Sequence, residues 1–311
     1  MKKAFLISLI IALSFAVAAC GQQGSSDTSP APSAGEGGES ATPGTSSDST
    51  VFKIGAIPDQ DVSVLNRQFG SFATYLSEAT GLNVEYVPSQ DYAALVTAFA
   101  RGDIHLAWFG GLTGVQARAQ SPQAEAIAQR PSDEQFHSVF IAQSGLNVEE
   151  LQDLKGLTFT FGSESSTSGH LMPRYYLTEA GIDPEKDFNG APNYSGSHDT
   201  TYKLVESGAY QAGALNELVW KRAVEEGSVD TAKVDAFYTT PAYYDYNWTI
   251  NGNVDEVFGE GTKEKVKAAL LSMGPEQQEI LDLFQTDRFI ETRNENYAAI
   301  ESAAKAIGII R

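Results

Sequence analysis

Hydroxyl side chains are concentrated in one short loop, Ser163-Glu164-Ser165-Ser166-Thr167-Ser168-Gly169, which lies between a predicted strand and a predicted helix. Proline is tolerated only near the start of a helix, so Pro173 requires that helix to begin close to Gly169 or His170. The backbone amides around Thr167 to Gly169 then lack intrahelical acceptors and point outward, beside three hydroxyl groups. Exposed amides at a helix start, reinforced by hydroxyl donors, are predicted to bind an anion.

A second donor-rich helix start follows at Ser195-Gly196-Ser197-His198-Asp199. Each start also has a simpler interpretation, because Ser166 or Ser168 in the first and Ser197 in the second can cap a helix without binding a ligand. Two such starts close together favour a shared anion site over two isolated caps. His198 alone is not diagnostic, because single histidines are often satisfied structural residues.

Aromatic residues cluster in the loops that follow the predicted strands. Each could be a core or interface residue, but their clustering at loop positions favours the walls of a pocket. The residues concerned are Tyr92, Trp108, Phe109, Tyr243 and Tyr244.

The elements that position these loops alternate between short β-rich runs and segments of helical periodicity from residue 51 onward. Helices follow most of the strands, including one that ends at Gly81 and one that is capped by Asp91. This alternation predicts an α/β fold with parallel sheets covered on both faces. In open sheets, ligands bind beyond the carboxyl ends of the strands, where the strand-to-helix loops converge. The predicted strands are 51–57, 83–87, 104–109, 125–129, 138–142, 158–161, 211–215, 234–238 and 246–250, and the chain after them, from about 263 to 307, is mainly helical.

The composition limits the classes of protein to which this chain can belong. Its 311 residues exceed one ordinary core, which predicts two lobes. A single cysteine excludes an intramolecular disulfide and a cysteine-based zinc or iron–sulfur site. With 40 Asp+Glu against 21 Lys+Arg, a formal charge of −19 and no basic run, the chain is not expected to bind nucleic acid. No metal and no cofactor are predicted.

The amino terminus is predicted to be a targeting segment. Two lysines precede an apolar stretch that suits a secretory signal peptide over residues 1–19 and is short for a membrane span. Val17-Ala18-Ala19-Cys20-Gly21 resembles a bacterial lipoprotein signal, which is cleaved before Cys20 and lipidated on that cysteine. The alternative is a plain signal peptide with an incidental cysteine. Residues 21–50 lack aromatic, Leu, Ile, Val, Met and basic residues, so Cys20 is predicted to be followed by a disordered linker.

A hydrolase that uses serine and histidine is a rival interpretation of the hydroxyl-rich loops. No G-x-S-x-G nucleophile elbow is present, because Gly162-Ser163-Glu164-Ser165-Ser166 lacks the final glycine. The histidines also lack metal-binding spacing such as H-E-x-x-H. The chain is therefore not expected to be an enzyme.

The motifs together resemble the phosphate/phosphite/phosphonate substrate-binding family of ABC importers, over nearly all of residues 52–310. Within that family the sequence is most similar to a branch named for selenate binding. The resemblance implies a type II periplasmic-binding fold, with lobe 1 at 51–137 and 243–311, lobe 2 at 138–242, and a hinge of two crossing segments. The motifs are Asp91-Tyr92-Ala93-Ala94-Leu95-Val96, Gly102-Asp103-Ile104, Trp108-Phe109-Gly110, Leu154-Lys155-Gly156, Ser165-Ser166-Thr167-Ser168-Gly169-His170-Leu171-Met172-Pro173 and Ser197-His198-Asp199.

The resemblance also implies the site residues. The Ser166–Gly169 turn matches the phosphoryl-binding helix start, Tyr92 the pocket tyrosine and His198 the pocket histidine. The family usually has Trp-Tyr-Gly-Pro where this chain has Trp108-Phe109-Gly110-Gly111, which removes one hydroxyl donor. Asn216 lies near a position where an acid often holds a ligand amino group, and its neutral amide disfavours a cationic ligand. The full predicted set is Tyr92, Trp108, Phe109, Gly110, Ser166, Thr167, Ser168, Gly169, His198, Asp199, Asn216 and Tyr243.

The identity of the oxyanion depends on the acceptors in the pocket. Phosphate and phosphite can carry a proton and favour a carboxylate acceptor, whereas sulfate and selenate favour donors only. The acids near the predicted cleft are Asp59, Asp61, Asp199 and Glu217, and the sequence leaves both outcomes open.

The function implied is a substrate-binding lipoprotein that closes on a small oxyanion and delivers it to an ABC permease and its ATPase. A monomer held at a membrane by its lipid anchor is expected. The alternatives are a ligand-sensing lipoprotein and the hydrolase described above.

Overall fold

A computed structural model of the protein describes residues 50–310. The predicted signal peptide, Cys20 and the linker up to residue 49 lie outside these residues. The described residues form one compact unit. Within residues 50–310, no helix is both long enough and apolar enough to span a membrane.

Strands and helices alternate along the described chain, as the sequence predicts. The strands are β1 (Val51–Ala56), β2 (Asn83–Tyr86), β3 (Leu106–Phe109), β4 (Glu125–Gln129), β5 (Ser138–Gln143), β6 (Phe159–Phe161), β7 (Asn193–Tyr194), β8 (Ala212–Asn216), β9 (Val234–Thr239), β10 (Asn247–Ile250) and β11 (Ile290–Glu291). The helices are α1 (Val62–Thr80), α2 (Tyr92–Ala100), α3 (Gly111–Gln120), α4 (Met172–Glu179), α5 (His198–Glu206), α6 (Glu217–Glu225), α7 (Val254–Phe258), α8 (Thr262–Leu271), α9 (Gln278–Leu283) and α10 (Ala298–Ala306).

Within residues 50–310 the strands form two sheets, and we call the bodies built on them lobe 1 and lobe 2. The sheet of lobe 1 has the order β11-β4-β10-β3-β1-β2, and that of lobe 2 has the order β7-β6-β8-β5-β9. The prediction of purely parallel sheets is wrong, because β10 runs antiparallel to both neighbours and β5 does the same. These two strands directly follow the points where the chain crosses between sheets, and the crossing sets their direction.

Two antiparallel segments connect the lobes. Phe136 N donates to Tyr243 O at 2.9 Å and Tyr243 N donates to Phe136 O at 3.0 Å. Next to this pair, Asp245 N donates to Asp133 O at 3.0 Å. Each segment therefore supports the other where the chain leaves lobe 1 and where it returns.

Local sequence signals fix the helices that end near the cleft. Asp61 caps α1 by accepting a hydrogen bond from Ser63 N at 2.8 Å, and Gly81 ends this helix with a φ of 71°. Asp91 caps α2 by accepting from Ala94 N at 2.7 Å. The cap at Asp91 and the helix end at Gly81 were predicted from the sequence.

Apolar cores hold each lobe. Lobe 1 has one large cluster, in which Phe72 stacks on Trp248 with ring centroids 4.5 Å apart. Lobe 2 has two clusters on opposite faces of its sheet, since the neighbouring residues Phe140 and Ile141 of β5 belong to different clusters. The loops at the carboxyl ends of β2, β3, β6 and β8 are thereby held at one junction between the lobes.

Candidate functional site

The hydroxyl-rich turn after β6 enters α4 through a π-helical turn, Thr167–Leu171, where an ordinary α-helical start was predicted. A π turn is wider than an α turn and is frequent at functional sites. Ser166 Oγ accepts from Gly169 N at 2.9 Å, so Ser166 does cap the helix. The amides of Thr167 and Ser168 find no acceptor among residues 50–310, as the geometry of a helix start dictates.

This turn is buried, although it is rich in polar groups. Ser166 and Thr167 are 2 % exposed and Ser168 is 1 % exposed. A buried amide without a partner is costly, and most such groups in proteins are hydrogen-bonded. The turn is therefore built to receive an acceptor from outside the chain.

Tyr92, the first residue of α2, faces the turn from lobe 1. It is 2 % exposed, and its hydroxyl has no hydrogen-bond partner within the described residues. Burial and the Asp59 carboxylate raise the pKa of Tyr92 well above its usual value, while the Ser166 side chain acts in the opposite direction. The phenol is neutral, lies beside Ser166 and has a proton to donate.

The loops after β3 and β6 touch directly between the lobes. Thr167 Oγ1 accepts from Leu112 N at 2.9 Å, and the Thr167 hydroxyl acts to lower the pKa of the neighbouring Asp245 carboxyl group. Asp245 Oδ1 accepts from Gly111 N at 2.8 Å. A Cβ atom built on Gly110 would lie 3.1 Å from Thr167 Oγ1 and 3.2 Å from Asp245 Oδ1. Glycine at this position therefore permits the close approach of the two loops.

Asp245 is a site residue that the sequence analysis missed. It is 1 % exposed, and its Oδ2 atom has no hydrogen-bond partner within residues 50–310. Burial raises its pKa to about 7, against the lowering effects of the Gly111 amide and the Thr167 hydroxyl. Its signal in the sequence is a single acid inside an aromatic run, 243–246, at the entry to a predicted buried strand.

His198 lies against the same turn, at the start of α5. Its ring is 1 % exposed, and burial lowers its pKa to about 4, so the imidazole is neutral. A Cβ atom built on Gly169 would lie 3.1 Å from His198 Cε1. The two donor-rich helix starts named from the sequence are thus neighbours in the fold.

Asn216 is hydrogen-bonded within the protein by both ends of its side-chain amide. Its Oδ1 atom caps α6 by accepting from Leu218 N at 2.7 Å and from Val219 N at 3.1 Å. Its Nδ2 atom donates to Tyr246 Oη at 2.9 Å. These bonds hold Asn216 in place between the lobes, and its contact with a ligand stays a prediction.

Trp108 and Phe109 are packed in the core of lobe 1, and their assignment as pocket walls stays a prediction. Trp108 is 3 % exposed and stacks on Tyr246 with ring centroids 5.5 Å apart. Phe109 is fully buried and packs on Phe99 with ring centroids 5.3 Å apart. Strand β3 lies inside its sheet and is buried on both faces, so both residues point into packed surroundings.

Tyr243 and Asp199 form their bonds away from the turn. The Tyr243 hydroxyl is 2.7 Å from Ser138 Oγ, beside the crossing segments. Asp199 accepts from Ser197 Oγ at 2.7 Å and from Lys203 Nζ at 3.0 Å on its own helix. Tyr243 therefore lies at the hinge between the lobes, and Asp199 lies in the first turn of α5.

The remaining acids near the cleft differ in their surroundings. Asp61 caps α1, and Glu217 forms an ion pair with Lys221 at 2.5 Å. Asp59 is 4 % exposed and accepts from Tyr246 Oη at 2.7 Å. Within residues 50–310, no group of three His, Cys, Asp or Glu side chains is placed to hold a metal ion.

Two α/β lobes, joined by two crossing segments and closed over a buried, donor-rich junction, define a two-lobed periplasmic binding protein. The family model described as "ABC transporter, phosphonate, periplasmic substrate-binding protein" matches residues 54–297. The chain belongs to this family, as its motifs indicated.

Known relatives agree with this assignment. The "Probable ABC transporter phosphite binding protein PhnD1" of Prochlorococcus marinus (strain MIT 9301) is 43% identical over 271 residues, which cover 84% of this chain and 91% of the relative. A crystal structure of PhnD1 from that organism in complex with methylphosphonate superimposes with a TM-score of 0.81, 42% identity and coverage of 84% of this chain and 99% of that one. The "Phosphate-import protein PhnD" of Mycolicibacterium smegmatis is 29% identical over 187 residues, or 57% of this chain and 58% of the relative.

Family membership fixes the general role of the chain. It is the substrate-binding component of an ABC transporter, is not an enzyme, and works outside the cytoplasm with a permease and an ATPase as partners. The predicted fold class, a two-lobed α/β periplasmic binding fold, is confirmed as well.

Proposed function

We propose that this protein binds a small phosphorus oxyanion, methylphosphonate or phosphite, between its lobes and delivers it to its permease. The observation that carries the proposal is the combination of free donors with one acceptor. The Thr167 and Ser168 amides and the Tyr92 hydroxyl are donors without partners among the described residues, and the Asp245 carboxyl group lies beside them. A carboxyl acceptor favours an anion that carries a proton over fully deprotonated sulfate or selenate.

In this proposal each lobe contributes part of the site. Lobe 2 supplies the amides of the Ser166–Gly169 turn and the ring of His198, and lobe 1 supplies Tyr92 and Asp245. Closure brings them together by rotation about the crossing segments near Phe136 and Tyr243. Phosphite and methylphosphonate, the ligands of these relatives, are of the size and charge that such a junction can enclose.

Calorimetric titration of the purified protein with methylphosphonate, phosphite, phosphate, sulfate and selenate tests the proposal. We expect one of the first two to bind most tightly, and Ser168→Gly to weaken binding only slightly, because it keeps the backbone amide. Ser168→Pro removes that amide and should abolish binding. Ser302→Ala, at an exposed hydroxyl that bonds Ala298 O on α10, is the matched control. Tighter binding of sulfate or selenate than of the phosphorus anions would refute the proposed ligand class.

We also propose that the mature protein is a monomer anchored by lipid on Cys20. The sequence motif at 17–21 supports the anchor. Expression of the full chain in a bacterium should give a membrane-bound product whose amino-terminal residue is a lipid-modified Cys20. Cys20→Ser should release the protein from the membrane fraction, and an unmodified product would contradict the anchor. Sedimentation of the Cys20→Ser protein tests the monomer.

A further inference from the structure

The hydroxyl of Tyr246 is the centre of a buried hydrogen-bond cluster that spans both lobes. It donates to Asp59 Oδ2 at 2.7 Å, accepts from Asn216 Nδ2 at 2.9 Å and lies 3.4 Å from His198 Nε2. Asp59 and Tyr246 belong to lobe 1, and Asn216 and His198 to lobe 2. A phenol can donate only one hydrogen bond. If Asp59 accepts that hydrogen bond, Tyr246 cannot donate to His198 as well.

The same cluster determines where the proton of His198 resides. The Asn216 backbone N–H points to His198 Nδ1 at 3.4 Å, so Nδ1 is the acceptor of the neutral ring and Nε2 carries the proton. If Tyr246 donated to Nε2, the ring would need the opposite tautomer, which would set Nδ1–H against the Asn216 N–H. Because Asp59 accepts the hydrogen bond from Tyr246, the Tyr246 hydroxyl does not donate to Nε2, and His198 keeps its proton on Nε2.

Asp59 is placed to perform this task. It is 4 % exposed, and its own carbonyl oxygen accepts from His198 N at 2.9 Å, so it contacts the histidine as well as Tyr246. The nearby Arg130 does not compensate it directly, since that guanidinium is hydrogen-bonded to Asp133 at 2.6 and 2.9 Å. A buried carboxylate without a direct cationic partner is costly. The presence of this carboxylate therefore indicates a role other than stabilising the fold.

We infer that Asp59 is a positioning residue for anion binding, which accepts the Tyr246 proton and so holds His198 as a neutral Nε2–H donor toward the ligand. This inference rests on the proposed function, because the ligand is the anion bound at the Ser166–Gly169 turn. Both contacts of the His198 ring nitrogens are weak, at 3.4 Å each. The Nε2 proton therefore exchanges readily from Tyr246 Oη to a bound oxyanion, and the Cε1 edge of the ring already lies against Gly169 of the turn. Since the cluster joins both lobes, it is complete only when they are closed.

Histidine ¹⁵N NMR tests the inference, because ring nitrogen shifts report the tautomer directly. The spectra are recorded without ligand and with saturating methylphosphonate, and His198 is assigned with His198→Gln. We expect Nε2–H in the wild type and in Asp59→Asn, which keeps an acceptor, and a shift toward Nδ1–H in Asp59→Ala. Methylphosphonate affinity should fall about tenfold in Asp59→Ala and change less than about threefold in Asp59→Asn. Asp61→Ala, at an exposed acid two residues away, should change neither the tautomer nor the affinity.

A double variant, Asp59→Ala with Tyr246→Phe, guards against loss of folding. It removes both partners of the Asp59–Tyr246 bond, which costs less than leaving one of them unpaired, although Asn216 Nδ2 loses its acceptor. It also removes the proton that competes for Nε2. The Nε2–H tautomer should therefore return. A folded Asp59→Ala protein that keeps the wild-type tautomer and affinity would overturn the inference, and so would a double variant that shows Nδ1–H. Wild-type protein that binds none of the tested anions would overturn the proposed function instead. The tautomer of His198 measured without ligand would still test the role of Asp59.

Discussion

At the scale of single residues, the site is marked by buried polar groups that lack partners in the described part of the chain. The Tyr92 hydroxyl and Asp245 Oδ2 are two such groups, and the amides of Thr167 and Ser168 are two more. Each unpaired buried group costs about 1–3 kcal/mol. A bound oxyanion offsets these costs, because it forms hydrogen bonds with the unpaired groups. Buried groups without partners therefore indicate the position of the ligand more precisely than residue types do.

Tyr92→Phe tests this account at one hydroxyl. Affinity for methylphosphonate should fall about tenfold, because a donor to the anion is lost. The unfolding temperature of the ligand-free protein should stay the same or rise, because an unpaired buried hydroxyl is removed. Tyr75→Phe is the control, since the Tyr75 hydroxyl donates to Ala269 O at 2.7 Å far from the site. It should lower stability and leave affinity unchanged. A less stable Tyr92→Phe protein with wild-type affinity would contradict the account.

The position of the Asp245 carboxyl group beside the anion site predicts that formation of the protein–ligand complex takes up protons from solution. Burial raises the pKa of this carboxyl group to about 7, and like charges disfavour a carboxylate beside a fully deprotonated anion, so in the complex one proton lies between the ligand oxygen and Asp245 Oδ2. The complex should therefore bind more protons than the free protein above about pH 7, and affinity should fall as pH rises from about 7 to about 9. Calorimetry of methylphosphonate binding in two buffers of different ionisation enthalpy measures the uptake. Asp245→Asn should abolish the part of it that belongs to the protein, and equal uptake in both proteins would place the proton on the ligand.

Single residues also show what the sequence could not supply. The Ser166–Gly169 turn, His198 and Tyr92 follow directly from loops at strand ends, so local patterns found them. Asp59 was named among the acids near the cleft, but its contact with Tyr246 and the position of Asp245 depend on the pairing of β1 and β10 with β3, a tertiary arrangement. Spacing along the chain carries no information about that contact.

At the scale of elements, one strand-to-helix loop of lobe 1 and one of lobe 2 form the closest contact of the site. Gly110 ends β3 and precedes α3, and it packs on Thr167 of the π turn. Strands and helices of ordinary length were predicted within a few residues, because periodicity and caps such as Asp91 define them. The two-residue strands β7 and β11 are too short to leave a pattern, and the direction of β5 and β10 depends on the crossings.

Gly110→Ala should therefore hinder closure without disturbing either lobe. The added methyl group meets Thr167 Oγ1 at 3.1 Å and Asp245 Oδ1 at 3.2 Å, and the φ of −76° is open to alanine. We expect methylphosphonate affinity to fall about tenfold, a larger ligand-bound radius of gyration by X-ray scattering, and an unfolding temperature close to wild type. Gly70→Ala is the matched control inside α1, where a Cβ atom meets nothing within 4 Å. It should raise stability by about 0.5–1 kcal/mol and leave binding unchanged. A Gly110→Ala protein that closes normally would refute the contact's importance.

At the scale of the whole molecule, a strongly acidic protein binds an anion. The formal charge is −19, yet fixed amide dipoles act within a few ångströms, while surface charge is screened over about 8 Å at physiological salt. A groove of about 250 Å³ lies where lobe 1 meets α5 and α6. Three cations and three acids line it, so it adds no net attraction. The charged residues are Asp61, Arg67, Asp199, Lys203, Arg222 and Glu226.

This balance predicts an unusual salt dependence. Raising the salt concentration from about 10 mM to about 150 mM should increase the association rate constant for methylphosphonate, because the long-range repulsion is screened. The dissociation rate should change little, since the buried contacts are shielded from salt. Stopped-flow tryptophan fluorescence measures both rates. A fall in the association rate with salt would mean that a local positive field guides the ligand.

A crystal structure of the protein with methylphosphonate tests the central claim most directly. The account predicts phosphonate oxygens within about 3.2 Å of Thr167 N, Ser168 N and Tyr92 Oη, with Asp245 on the same ligand. A methylphosphonate molecule bound elsewhere, with those two amides paired to other groups of the protein, would contradict it.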